Sequence, residues 1–141
     1  MKQYKYLEHT ADVKFQAFGK SLEEAFVNAA YAFTNVMLDH KKIAAKVEKT
    51  IKVKSEDKKA LLYDFLEQFL ILMDSKGFLL NKVQKLKIKQ EKKGFSLSAS
   101  VIGDNHPEKY ETEIVIKAVT YQEMFVKEEK GNVIVQVIVD I

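Results

Sequence analysis

Seven consecutive residues, Val133-Ile134-Val135-Gln136-Val137-Ile138-Val139, are β-branched at every position but Gln136. A run of this kind packs on both sides of a pleated sheet and reads as an interior strand, from Asn132 to Asp140. Its end is unusual. An acid, Asp140, and one apolar residue, Ile141, close the sequence with no polar tail. A carboxylate side chain, neighbouring carbonyl groups and a free α-carboxylate would therefore converge in a small volume. A second acid, Asp12, begins another expected strand after Glu8-His9-Thr10-Ala11. If these first and last strands are neighbours, two aspartates and the chain end form a hard-oxygen site suited to Ca²⁺ or Mg²⁺. Without a cation the two acids would repel; a divalent ion, or Lys117, would relieve that. Taken singly, each aspartate has the plainer reading of a turn cap at a strand edge.

The other elements follow from periodicity and punctuation. Residues 4–8 and 13–18 read as short strands, the second alternating Val13, Phe15 and Ala17 with Lys14 and Gln16. Gly19 permits a turn. Ser21-Leu22-Glu23-Glu24 is a capping box opening a helix to about Met37, with Leu22, Ala25, Phe26, Ala29, Phe33 and Val36 on one face. A strand is expected over 46–54. Ser55-Glu56-Asp57 then offers N-caps for a second helix ending near Ser75, and Gly77 lies just past its end. Leu61, Leu62, Phe65, Leu66, Phe69, Leu70 and Met73 make this helix largely buried. From Phe78 onward the pattern is strand. Residues 80–90 and 94–102 form a hairpin around Lys92-Lys93-Gly94, a polar loop covers 103–112, and strands follow at 113–119, 124–128 and 132–140. The expectation is an α+β fold, two helices packed on a mainly antiparallel β-sheet, in a single domain over residues 1–141.

Composition narrows the function classes. Hydrophobic residues make up 47% and charged residues 30%, the profile of a globular domain rather than a disordered chain. No apolar stretch approaches the roughly 20 residues of a membrane helix, and the N-terminus lacks a signal core, so a cytoplasmic protein is expected. With no cysteine there is no disulfide and no thiolate nucleophile or metal ligand. All 23 basic residues are lysine, which neutralises phosphate as a point charge but lacks the bidentate fork of arginine.

Ordinary catalysis finds little support. His9, His40 and His106 have neither a nucleophile motif nor zinc spacing beside them, and the five glycines build no nucleotide-binding fingerprint. Ser96, Ser98 and Ser100 alternate along one strand and read as a solvent-facing or pairing row. Lys85, Lys87 and Lys89 alternate with Leu86 and Ile88, aligning three ammonium groups on one sheet face, with Lys92 and Lys93 beyond. The plain reading is a solvated face or a charged edge that blocks aggregation. The sharper one is a nonspecific phosphate-tracking surface for RNA, without interleaved aromatic residues to stack bases. That gives the alternative function, a general RNA-binding or chaperone-like module; a metal-dependent hydrolase is a third reading.

Four motifs taken together (His9-Thr10-Ala11-Asp12, Gly19 to Phe26, Lys117-Ala118-Val119-Thr120-Tyr121 and Val139-Asp140-Ile141) resemble the archease family, in order and across the whole chain. The resemblance implies a small, non-catalytic cytoplasmic cofactor of an RtcB-type tRNA-splicing ligase, which promotes ligase guanylylation and multiple turnover and contacts RNA indirectly or weakly. It maps the family's metal site onto Asp12, Asp140 and Ile141, with Ca²⁺ the first expectation and Mg²⁺ the alternative. Lys117 is the next functional candidate, against the plain reading of an outward-facing strand lysine. Glu8 and His9 would shape the site from behind the ligands. Two departures stand out: the stretch between His106 and Lys117 is longer than in typical members, and Gln122 follows Tyr121 where many relatives carry histidine.

Overall fold

The computed structural model describes residues 2–8, 11–112 and 114–141. Seven strands and two α-helices follow one another along them: β1 (Tyr4–Leu7), β2 (Asp12–Gly19), α1 (Leu22–Met37), β3 (Val47–Ser55), α2 (Lys58–Lys76), β4 (Leu79–Glu91), β5 (Gly94–Asp104), β6 (Ala118–Glu129) and β7 (Asn132–Asp140). Every strand pairing is antiparallel, and the expected α+β class holds. The strands divide into two sheets, ordered β1-β2-β7-β6 and β3-β5-β4. The first is therefore built from the two ends of the sequence and the second from its middle.

Local chemistry sets both helices. The Ser21 side chain accepts the Glu24 N–H at 3.1 Å, and the Glu24 carboxylate reaches back to the Lys20 N–H. Asp57 caps α2 by accepting the Ala60 N–H at 2.7 Å, and Gly77 ends it in the left-handed region at φ 65°, where a side chain would be strained. The helices lie against both sheets, α1 on β2 and β4, α2 on β3 and β6. Burial of α1 consequently extends past the expected stripe to Asn28, Ala30, Ala32, Thr34 and Met37. Between the helices Phe26 stacks on Phe65 at 6.1 Å and Phe33 meets Phe69 at 6.3 Å. The β-branched run behaves as its composition demands. On β7, Val133, Val135, Val137 and Val139 enter the core, while Gln136 and Ile138 are buried on the opposite face.

Two expectations change near the C-terminal third. The strands expected at 113–119 and 124–128 are one strand, β6, whose pairing with β7 is broken between Thr120 and Phe125; Glu113 lies outside the described residues. Glu123 carries the break at φ 51°. Side chains pin it there, Lys14 to the Glu123 carboxylate at 3.1 Å and Gln136 Nε2 to the Glu123 carbonyl at 2.8 Å. The polar loop expected from Gly103 begins only at Asn105. Asp104 ends β5 with no exposed surface, accepting the Tyr110 hydroxyl at 2.6 Å and the His106 N–H at 3.3 Å, with Lys109 Nζ 3.8 Å away.

That clamp has a pH signature. The Tyr110 hydrogen bond, reinforced by Lys109 and the His106 N–H, holds the Asp104 carboxyl below its usual range. Its contribution to stability is therefore complete above the unfolded-state value of about 3.9 and is lost as pH falls through the lower folded-state value. Urea midpoints measured from neutral pH downward should fall across that window, and Asp104→Asn should flatten the fall while lowering the midpoint at pH 7. An equally steep fall in the variant would remove Asp104 as its source. At the helix contact, Phe65→Ala should cost about 3–5 kcal/mol in the same unfolding assay; a loss below about 1 kcal/mol would mean that the pocket collapses or that this contact is not central.

Candidate functional site

The β2–β7 ladder runs in continuous register from Gly19↔Val133 to Asp12↔Asp140. Directly opposed residues of an antiparallel pair share one face, with Cβ atoms roughly 4.5–5.5 Å apart. β2 and β7 are thus neighbours, and their aspartates are cross-strand partners. On the far side of β7, Ala118 of β6 faces Asp140, so the row across the three strands reads Asp12–Asp140–Ala118. The Lys117 N–H donates to the Asp140 carbonyl at 2.7 Å. Lys117 was expected inside a strand; it is the exposed residue immediately before β6.

The approach to Asp12 is constrained as well. Ala11 sits at φ 65°, a left-handed conformation that costs a non-glycine residue on the order of 1 kcal/mol or more and persists where surrounding structure imposes it. An open hollow of about 370 Å³ beside Asp12 is lined by Tyr6, Leu7, Glu8, Val13, Val36 and Ile114. Glu8 therefore shares a hollow with Asp12, just past the end of β1. His9 lies outside the described residues. Ile141 is half-buried, its side chain packed against the core.

Chemically this is a pair of hard-oxygen donors. Two carboxylates about 5 Å apart repel by about 1 kcal/mol even in a water-like medium, and like charges directly opposite one another weaken a sheet. Among the described residues no group of three or more His, Cys, Asp or Glu side chains is placed to hold a metal ion; the aspartate pair supplies two carboxylates. Carboxylate and main-chain oxygens fit Ca²⁺ or Mg²⁺, not a soft metal. Two carboxylates fall well short of the six to eight oxygens Ca²⁺ takes, so a cation held here would need water or another molecule to complete its shell.

Asp140 shares its parity along the strand with Ile134, Gln136 and Ile138, but the cross-strand hydrogen bonds of that row were not legible in the sequence. Gln16 Nε2 donates to Gln136 Oε1 at 2.8 Å, and Thr120 Oγ1 donates to the Ile138 carbonyl at 2.8 Å. Just past Thr120, the exposed Tyr121 ring stacks on Tyr63 of α2 at 4.2 Å, with planes 4° apart. Only the Lys117–Tyr121 motif pointed to this stretch, and nothing in it signals Tyr63.

A small α+β protein with an acidic tip where its first and last long strands meet is the class this geometry defines. The model of the Archease protein family (MTH1598/TM1083) matches residues 4–141, and the chain belongs to that family. It is 39% identical over 141 residues to Protein archease of Methanosarcina mazei, covering 99% of this chain and 97% of that one. Identity to Protein archease of Pyrococcus abyssi is 36% over 143 residues, covering both chains completely. The solution structure of Methanobacterium thermoautotrophicum protein 1598 superposes with a TM-score of 0.86 at 34% identity over the whole of both chains. A crystal structure of an archease, possible chaperone, from Thermotoga maritima gives 0.59 at 24% identity, covering 97% of this chain and 96% of that one, and bears on the fold alone.

If the aspartate pair holds Ca²⁺, calcium added at low ionic strength should raise the melting temperature, adding about 2.7 kcal/mol of stability at a hundredfold excess over Kd. Asp140→Asn should abolish that increment and, in chelator, melt no lower than the parent because one of two facing charges is gone. Melting curves with and without Ca²⁺ read both effects. An undiminished increment in the variant would place the cation elsewhere.

Proposed function

We propose that this archease holds a divalent cation, Ca²⁺ in first place and Mg²⁺ as the alternative, with Asp12, Asp140 and the main-chain oxygen of Ile141. With this tip it activates an RtcB-type tRNA-splicing RNA ligase, promoting guanylylation and multiple turnover without catalysing a reaction itself. The observation that carries the reading is the direct opposition of Asp12 and Asp140 in the β2–β7 register. A donor pair with most coordination positions left over suits a contact completed by another molecule. The exposed Asp140 and Lys117 place charges of both signs beside that contact, where they would orient a docking partner. Glu8 and His9 act from behind the ligands. In this reading the RNA is the ligase's substrate and the protein works in the cytoplasm; no helix among the described residues is long and apolar enough to cross a membrane.

The test is ligase guanylylation with and without this protein, in Ca²⁺, in Mg²⁺ and in chelator. Stimulation should require the cation, disappear in Asp140→Ala and weaken in Lys117→Ala, with both variants folded by circular dichroism. Full stimulation by Asp140→Ala would falsify the proposal.

A further inference from the structure

The outward face of the second sheet carries five lysines and no acid in the three rows that span it. Register places Lys54, Ser96 and Lys89 in one row across β3, β5 and β4, then Lys52, Ser98 and Lys87, then Thr50, Ser100 and Lys85. Lysines thus come from both edge strands, whereas the central strand contributes only short hydroxyl side chains. The result is a trough of about 410 Å³, walled by Lys52, Lys54, Lys87 and Lys89 and floored by Ser96, Leu97 and Ser98. None of those four lysines is in an ion pair among the described residues. Acids are few here: Glu48 lies opposite Ile102 beyond the third row, and Glu91 reaches the first row, where it accepts the Ser96 hydroxyl at 2.9 Å. The chain carries 20 acidic residues against 23 lysines, so a solvated face of ordinary mixture would interleave the two signs here. It does not.

We infer that this trough binds the phosphodiester backbone of a nucleic acid strand, independently of sequence. Residues two apart along a strand are about 7 Å apart, comparable with successive phosphates of an extended strand, so each row of the trough can meet one phosphate. Lysine serves as a point charge, which suits backbone neutralisation rather than base reading. The Ser98 hydroxyl lies between Lys52 and Lys87 as a neutral donor to the same phosphate. No aromatic side chain stands in these rows, so affinity comes from counterion release alone and falls steeply with salt. The trough is on the sheet that lacks the aspartate pair, and the inference does not rest on ligase activation.

Fluorescence anisotropy of the full chain with a short unstructured RNA, across a salt series, tests it. Lys52→Gln/Lys54→Gln/Lys87→Gln/Lys89→Gln should weaken binding at least tenfold at low salt and make the log–log salt slope shallower by about 0.7 per lysine removed. The charge-matched control Lys20→Gln/Lys41→Gln/Lys76→Gln/Lys130→Gln should stay within about twofold of the parent, separating this face from net charge. Ser98→Glu, which puts a carboxylate on the trough floor without removing any lysine, should also lower affinity and covers the case of a misfolded quadruple variant. Asp140→Ala should bind RNA normally. No binding by the parent, an equal loss in the control, or preference for phosphatidylserine vesicles over RNA would each overturn the inference.

Discussion

The register of β2 against β7 governs both the core and the tip. Phe15 and Ala17 face Val137 and Val135 across it, and all four are fully buried. Burying Phe or Val contributes about 1.5–3 kcal/mol per side chain, against about 1 kcal/mol for the opposed carboxylates at the end of the same ladder. The core wins, and the acids are held face to face as a consequence. A one-residue slip would turn the apolar row outward and disperse the acidic pair in the same step. Core and candidate site are thus specified by a single alignment, and the site needs no separate energy of assembly.

Placing both helices against both sheets has a second consequence. The inward faces of the sheets are committed to packing, which leaves the outward faces available for specialisation. On the first sheet that face exposes Asp140 at its tip while Ile138 and Gln136 behind it are buried; on the second it is the lysine and serine trough. A net charge of +3 conceals this segregation, because it sums 23 lysines and 20 acids without regard to where they lie. Net charge speaks to solubility and association rates, whereas the separated patches decide which ligands meet which face.

What could be read from the sequence was what local chemistry determines. Ser21, Asp57 and Gly77 announce helix ends because a cap needs only its own neighbours, and the β-branched run announces an interior strand because burial on both faces admits little else. The acidic tip was legible only conditionally, since opposition of Asp12 and Asp140 depends on a pairing between residues at the two ends of the sequence. The division into two sheets was not legible, for the same reason. Glu123 gave no warning of the break in β6: a positive φ on glutamate is imposed by Lys14 and Gln136 and is not encoded by its neighbours. Lys52 and Lys54 read as ordinary strand residues until the β3–β5–β4 order brought them into rows with Lys87 and Lys89, respectively, across β5. Buried Asp104 was masked by its polar, loop-like surroundings.

The position of Asp140 within its sheet bears on how it can act. Its strand is interior, with β2 on one side and β6 on the other, and its carbonyl is tied to the Lys117 N–H. The side chain is nonetheless exposed. A carboxylate on a mobile tail would have to be ordered on docking, at about 0.5–1.5 kcal/mol for each immobilised side chain, with backbone ordering in addition. Here folding has already fixed the backbone, and aspartate has a short side chain with little left to freeze. The opposed Asp12 completes the pair without any loop closure. Geometry held by strands in this way survives contact with a partner better than geometry held by loops, so the acidic tip is preorganised by the same hydrogen-bond ladder that joins the two ends of the sequence.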